Sequence, residues 1–129
     1  MKDIFKPGDE KVYEKQVTAA DFARFETGTV HEVCSTFSLA QAAEYAGRLF
    51  VLEMKEEDEE GIGTMLTINH KSPAFEGDVI TITAAIKELT GNEVICSYVA
   101  RVGDRIVADG ETGQKILKKE KLATLLTKR

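Results

Sequence analysis

The stretch TFSLAQAAEYAGRLFVLEM, Thr36 to Met54, decides the fold, because it holds a helical period longer than any other part of the chain. Leu39, Ala43, Ala46 and Phe50 recur at spacings of four, three and four, which puts them on one face of a helix. Ala40, Ala42, Ala43, Ala46 and Gly47 are small, so the axis of this helix is free to lie close against another element. Thr36 is suited to cap its start. The acidic run Glu56 to Glu60 would sit badly at the negative end of a helix dipole, so the helix is expected to stop before it and the run to form a solvated loop.

Beyond Gly61 the period changes to two. Ile62, Thr64, Leu66, Ile68 and His70 form one face of a first strand, and Ile80, Ile82, Ala84 and Ile86 alternate with polar residues in a second. Gly91-Asn92 turns the chain into a strand from Glu93 to Val102, and Gly103-Asp104 turns it into a last strand from Arg105 to about Lys118. Gly110 and Gly113 in that last strand mark a bulge or a place where something approaches the backbone closely. Ahead of the helix, Tyr13 and Val17 indicate a short strand over Lys11 to Val17. Thr18 and Asp21 cap a brief helix, and the segment from Gly28 to Ser35 is expected to be irregular.

Tight turns require antiparallel neighbours, so the second half is a meander whose apolar face the long helix can cover. The chain is therefore expected to be α+β, with a four- or five-stranded antiparallel sheet wrapped around one central helix, the arrangement called a hotdog fold. Its 129 residues and 43% hydrophobic content suit one domain over residues 1–129, large enough to fold without a metal or disulfides. Such a sheet leaves an edge strand that a second copy of the chain can cover, so a homodimer is expected.

Cys34 and Cys96 form no closely spaced metal motif and are read as free thiols in a reducing compartment. The charged N-terminus and the lack of any long apolar run predict a cytoplasmic protein without a membrane span. A net charge of −5 argues against general nucleic-acid affinity, which Lys and Arg supply. The basic tail, Lys115 to Lys121 with Lys128 and Arg129, is read as a solvated last strand and a frayed end.

Three side chains stand out as reactive. Glu44 is a carboxylate among small residues on a helix that otherwise looks buried, where it would be suited to proton transfer; a pair with Arg48, four residues on, is the plain structural alternative. His70 closes a strand with an apolar inward face, which places it at the rim of the core, where Asn69, Ser72 and Thr36 could all lie beside it; a purely structural histidine is the plain alternative. Thr36 stands eight residues before Glu44, a helical rise of about 12 Å and too far for a direct hydrogen bond. Contact between them needs a non-helical turn or a pairing across a dimer. The Cys34 thiol is a rival nucleophile, and His31 is assigned surface packing only.

Thr36, Glu44 and a strand GTMLTINH running from Gly63 to His70 make the chain resemble the hotdog thioesterases related to fluoroacetyl-CoA thioesterase. The resemblance implies acyl-CoA hydrolysis in a pocket at a dimer interface, with Thr36, Glu44 and His70 cooperating and CoA entering as part of the substrate rather than as a cofactor. It also implies that Gly63 lies near the thioester. Phe37 and Gln114 depart from the family, standing where the fluoroacetyl-specific relative has glycine and where relatives carry arginine, and both are expected to shape the substrate pocket. The segment from Thr27 to Ser35 has no aromatic residue, so the expected substrate is a short or modified acyl-CoA rather than fluoroacetyl-CoA. Lys71, Arg101 and Lys115 are available to CoA phosphates but read as ordinary surface charges. Enoyl-CoA hydration is disfavoured because Glu44 and His70 lie 26 positions apart. A non-catalytic module that binds acyl-CoA or another small ligand is the alternative.

Overall fold

A computed structural model describes residues 1–128. Strand β1 (Glu10–Gln16) leads through a single 3-10 turn (Ala19–Asp21) to a hairpin of β2 (Phe22–Phe25) and β3 (Gly28–Cys34). Helix α1 (Thr36–Met54) follows, then β4 (Glu59–Leu66), β5 (Asn69–His70), β6 (Val79–Thr90), β7 (Glu93–Val102), β8 (Arg105–Lys118) and a closing helix α2 (Lys119–Leu126). The main sheet is antiparallel in the order β1-β6-β7-β8-β4, with β5 also paired to β8, so it has six strands rather than the four or five expected.

Helix α1 lies across the concave face of this sheet with the expected bounds. It buries Leu39, Ala42, Ala43, Ala46, Phe50, Val51 and Met54, and these meet Ile80, Ile82, Ala84, Val94, Cys96, Tyr98 and Ala100 in one continuous core. Phe50 is fully buried, and the ring of Phe5 meets it edge-on at 5.1 Å. A curled sheet holding one long helix is the hotdog architecture.

Four local expectations are corrected. The segment before α1 is not irregular, because β3 pairs with β2 and the β-branched Thr29, Val30 and Val33 serve as strand residues. The acidic run is not all loop. Glu59 opens β4 at 7% exposure, its carboxylate paired with the Met1 ammonium at 2.6 Å and accepting a hydrogen bond from the amide of Glu56 at 2.9 Å. Glu60 is likewise held by Arg48 and Lys55. The chain end is not wholly frayed, since α2 buries Leu122.

The fourth correction bears on the site. The strand expected from Gly61 to His70 is two strands, with a register shift between Gly63 and Met65 and a break between Leu66 and Asn69. At the break the Thr67 carbonyl folds onto Gly110, so closely that a Cβ at Gly110 would lie 2.0 Å from that oxygen. Tyr98 donates to the same carbonyl at 2.7 Å, and the Thr67 hydroxyl accepts from the amide of Glu111 at 2.9 Å. Burial pushes the Tyr98 hydroxyl up to about 12, so it remains a donor at neutral pH. This kink starts β5 in register with Asp109 and Ala108, and so sets the position of His70.

Gly110→Ala therefore forces a backbone shift at Thr67 and is expected to cost about 2 kcal/mol, the scale of an overpacked core position. Urea unfolding measures it, and a midpoint equal to wild type would show that the kink does not depend on this close approach.

Candidate active site

The N-terminal end of α1 places the first two candidate residues. Thr36 is not the helix cap. Ser35 takes that role, its hydroxyl accepting the amide of Ser38 at 3.0 Å from an extended backbone. The Ser35 amide is itself anchored on the Asp21 carbonyl at 2.7 Å, and the Cys34 amide on the Ala74 carbonyl at 2.9 Å. With the cap supplied by its neighbour, the hydroxyl of Thr36 is free, and Oγ1 lies 2.9 Å from His70 Nδ1. The kinked strand and the helix end thus bring together two side chains that are 34 positions apart in sequence.

Glu44 is the residue on which expectation and structure differ. In the single chain it is exposed, and Arg48 pairs with Glu60 at 3.1 Å instead of with it. Among the described residues Glu44 makes no side-chain hydrogen bond or ion pair. Its carboxylate lies over Gly63 of β4, where an added Cβ would meet Oε1 at 2.1 Å. Gln114, which pairs with Gly63 across the β4–β8 ladder, is 4% exposed and donates to the Glu44 main-chain carbonyl at 3.4 Å. Gly63, Glu44 and Gln114 therefore form one cluster, two helical turns from Thr36.

Two hollows lie beside these clusters. One, of about 360 Å³, is lined by Glu44, Tyr45, Arg48, Gly63 and Gln114; the other, of about 710 Å³, runs between α1 and the β2–β3 hairpin past Thr36, Phe37 and His31. Gln41 lines both. Neither Gln41 nor the hairpin residues were singled out in the sequence, yet a signal was present. Phe37, Gln41, Glu44 and Arg48 repeat at four, three and four, the same period as the buried stripe but on the face left outside it. Phe37 is the extreme case, at 81% exposure.

The rival nucleophile is inert. Cys34 is 1% exposed, and burial, with a smaller contribution from Asp21, pushes its thiol up to about 11. Burial pushes Cys96 to about 11 as well. A thiol titrating that high is protonated at neutral pH, and the reactive thiolate appears only as the pH approaches 11. Of the three cations considered for CoA, Lys71 bridges Asp109 at 2.7 Å, whereas Arg101 and Lys115 are exposed. Among the described residues no group of His, Cys, Asp and Glu is arranged to hold a metal ion, and no helix is long and apolar enough to cross a membrane.

Two outcomes follow from this geometry. Neither cysteine of the folded protein should be alkylated by iodoacetamide at pH 7.5 within the time that denatured protein is fully labelled; rapid native labelling of Cys34 would return it to the list of nucleophiles. Gly63→Ala displaces only the flexible end of Glu44, so the melting temperature should stay within about 2 °C of wild type, while misplacement on the scale of 1 Å lowers kcat/KM by about a hundredfold. Unchanged kinetics in this variant would remove the Glu44–Gly63 contact from the reactive geometry.

Known proteins share this architecture. A hypothetical protein of Thermus thermophilus, described as a thioesterase superfamily member, is 34% identical, with 95% of this chain and 91% of that one covered at a TM-score of 0.91. A phenylalanine-to-alanine mutant of the fluoroacetyl-CoA-specific thioesterase FlK is 20% identical over 97% of both chains, with a TM-score of 0.89. A hot-dog-like protein from Thermanaerovibrio acidaminovorans is 21% identical over 97% of this chain and 96% of that one, with a TM-score of 0.86. No curated protein matches the chain. Residues 17–120 match the family described as FlK, fluoroacetyl-CoA-specific thioesterase, a span that takes in Thr36, Glu44, Gly63 and His70. The chain belongs to the FlK family of hotdog-fold thioesterases.

Proposed function

We propose that this protein hydrolyses an acyl-CoA thioester, of a short or modified acyl group, to the free acid and CoA, with Thr36, Glu44 and His70 as the catalytic residues. The observation that carries this reading is the 2.9 Å contact between Thr36 Oγ1 and His70 Nδ1. A hydrogen bond at an exposed rim adds at most about 1 kcal/mol to stability, so fold stability is a weak reason for bringing the two side chains together. Reactivity is a better one. An imidazole held at Nδ1 is fixed in orientation and keeps Nε2 free to exchange a proton. Thr36 thus orients His70 rather than Glu44.

Glu44 brings oxygen to the thioester carbonyl, either by taking the proton of an attacking water molecule or as its own attacking carboxylate, in which case water then hydrolyses the acyl anhydride on Glu44 and releases the acid. The C–S bond breaks as the tetrahedral intermediate collapses. One proton has left the attacking water and one must reach the departing sulfur, and Glu44 and His70 are the groups that carry it. Gly63, Phe37 and Gln114 contact the substrate. Gly63 leaves room for the Glu44 carboxylate, Gln114 holds the helix carbonyl behind it, and Phe37 presents an exposed ring beside Thr36.

CoA is the carrier in this reading and no other cofactor is needed. Structures of the fluoroacetyl-CoA thioesterase hold acetyl-CoA in one case and fluoroacetate with CoA in another, which supports that choice. We also read residues 1–129 as one domain that works as a homodimer in the cytoplasm. The unpaired outer edge of β4 and the exposed Phe37 and Tyr45 favour a second copy, and the two free buried cysteines agree with a reducing compartment.

Release of CoA thiol from a panel of acyl-CoAs tests the assignment. Glu44→Gln and His70→Ala should each lower kcat/KM by at least about a hundredfold while leaving the unfolding midpoint within error. Near-normal rates in Glu44→Gln would sink its role. Tight binding of acyl-CoA without turnover in wild type would instead identify a non-catalytic binding module.

A further inference from the structure

The larger hollow, of about 710 Å³, is within the size of an ordinary small-molecule pocket. Its lining combines the hydroxyl-bearing Ser35, Thr36 and Ser38 with three aromatic residues, Phe22, Phe25 and Phe37. Phe25 is 74% exposed and Phe37 81%, an unusual outlay of aromatic surface beside a reactive hydroxyl. Of the charged residues in its wall, Asp21 is bound to Lys15 at 3.0 Å and the Arg24 guanidinium donates to the Ala19 carbonyl at 2.7 Å.

The geometry points to an arylacyl group, of the phenylacetyl kind, as the acyl part of the substrate, with its ring among Phe22, Phe25 and Phe37 and its carbonyl at Thr36. This rests on the thioesterase reading above and narrows it. An acetyl group would leave most of the hollow to water and the three rings without contacts. A phenyl ring gains edge and offset contacts with each of them, in addition to the area it removes from water. The aromatic wall absent from Thr27 to Ser35 is supplied instead from β2 and from the first turn of α1.

The test compares kcat/KM for phenylacetyl-CoA, acetyl-CoA and succinyl-CoA in wild type and in Phe25→Ala, with phenylacetyl-CoA binding measured in parallel by calorimetry. Phe25 is exposed enough that its truncation leaves the fold in place. Wild type should prefer phenylacetyl-CoA over both others by about tenfold or more, and Phe25→Ala should reduce the phenylacetyl-to-acetyl ratio by about tenfold. A preference for acetyl-CoA or succinyl-CoA, or a ratio that Phe25→Ala leaves unchanged, overturns the assignment while hydrolysis stands. Binding of phenylacetyl-CoA that weakens in Phe25→Ala, without turnover of any thioester, supports the hollow and overturns the hydrolase reading. Neither turnover nor binding overturns both.

Discussion

The close seating of α1 on its sheet is the constraint from which the rest of the structure follows. Ala42, Ala43 and Ala46 are buried on the contact face, and none of them holds the helix axis away from the strands. That leaves little room for larger side chains beneath the middle of the helix, so the apolar mass collects at its ends, with Leu39 at one and Phe50 and Met54 at the other. It also brings the helix backbone within reach of the sheet's side chains, as the Gln114 bond to the Glu44 carbonyl shows. The outward face of the same helix then carries what the inward face excludes: Phe37, Gln41, Glu44 and Arg48.

A close-seated helix makes the strand ends matter. The rim where Thr36 emerges is reached by β5 only because the chain kinks at Thr67, and the kink depends on Gly110 having no side chain and on Tyr98 holding the Thr67 carbonyl. A straight continuation of β4 would place His70 elsewhere along β8. The capping of α1 is equally consequential. A threonine that capped the helix would have its hydroxyl committed to a backbone amide, and Ser35 relieves it of that duty. Two modest local devices, a serine cap and a glycine-seated kink, thus produce the Thr36–His70 contact.

Those devices mark the boundary of what could be read in the residues. The long helix and the meander were legible because each buries one face completely, which gives a strict period, and Gly91 and Gly103 punctuate the turns with positive φ. Hairpin β2–β3 was not legible. It is mostly exposed on both faces and its register shifts twice, so no alternation survives in its sequence. Glu59 was misassigned because one partner of its carboxylate, Met1, is more than fifty positions away and no local pattern announces it. The candidate triad was legible by resemblance in order and spacing. Thr36 was legible as one of several possible partners of His70; that its hydroxyl is free of capping was not, since the choice between Ser35 and Thr36 as cap turns on backbone angles rather than residue type.

On the proposed mechanism, the two halves of the site have to meet at one carbonyl. Thr36 and Glu44 stand eight residues apart on a regular helix, a rise of about 12 Å, whereas groups acting on the same atom must each come within about 3 Å of it or act through one water molecule. α1 has no break that would shorten that rise, so it is not closed within the helix. Gln41 is the residue common to the linings of the two hollows. A second copy offers a solution, because β4, whose Gly63 underlies Glu44, is an edge strand with its outer side unpaired among the described residues. An edge strand is most readily covered by another strand, and a two-fold axis there duplicates every group along it. That separation is the physical reason to expect activity from the assembled protein rather than from the isolated chain.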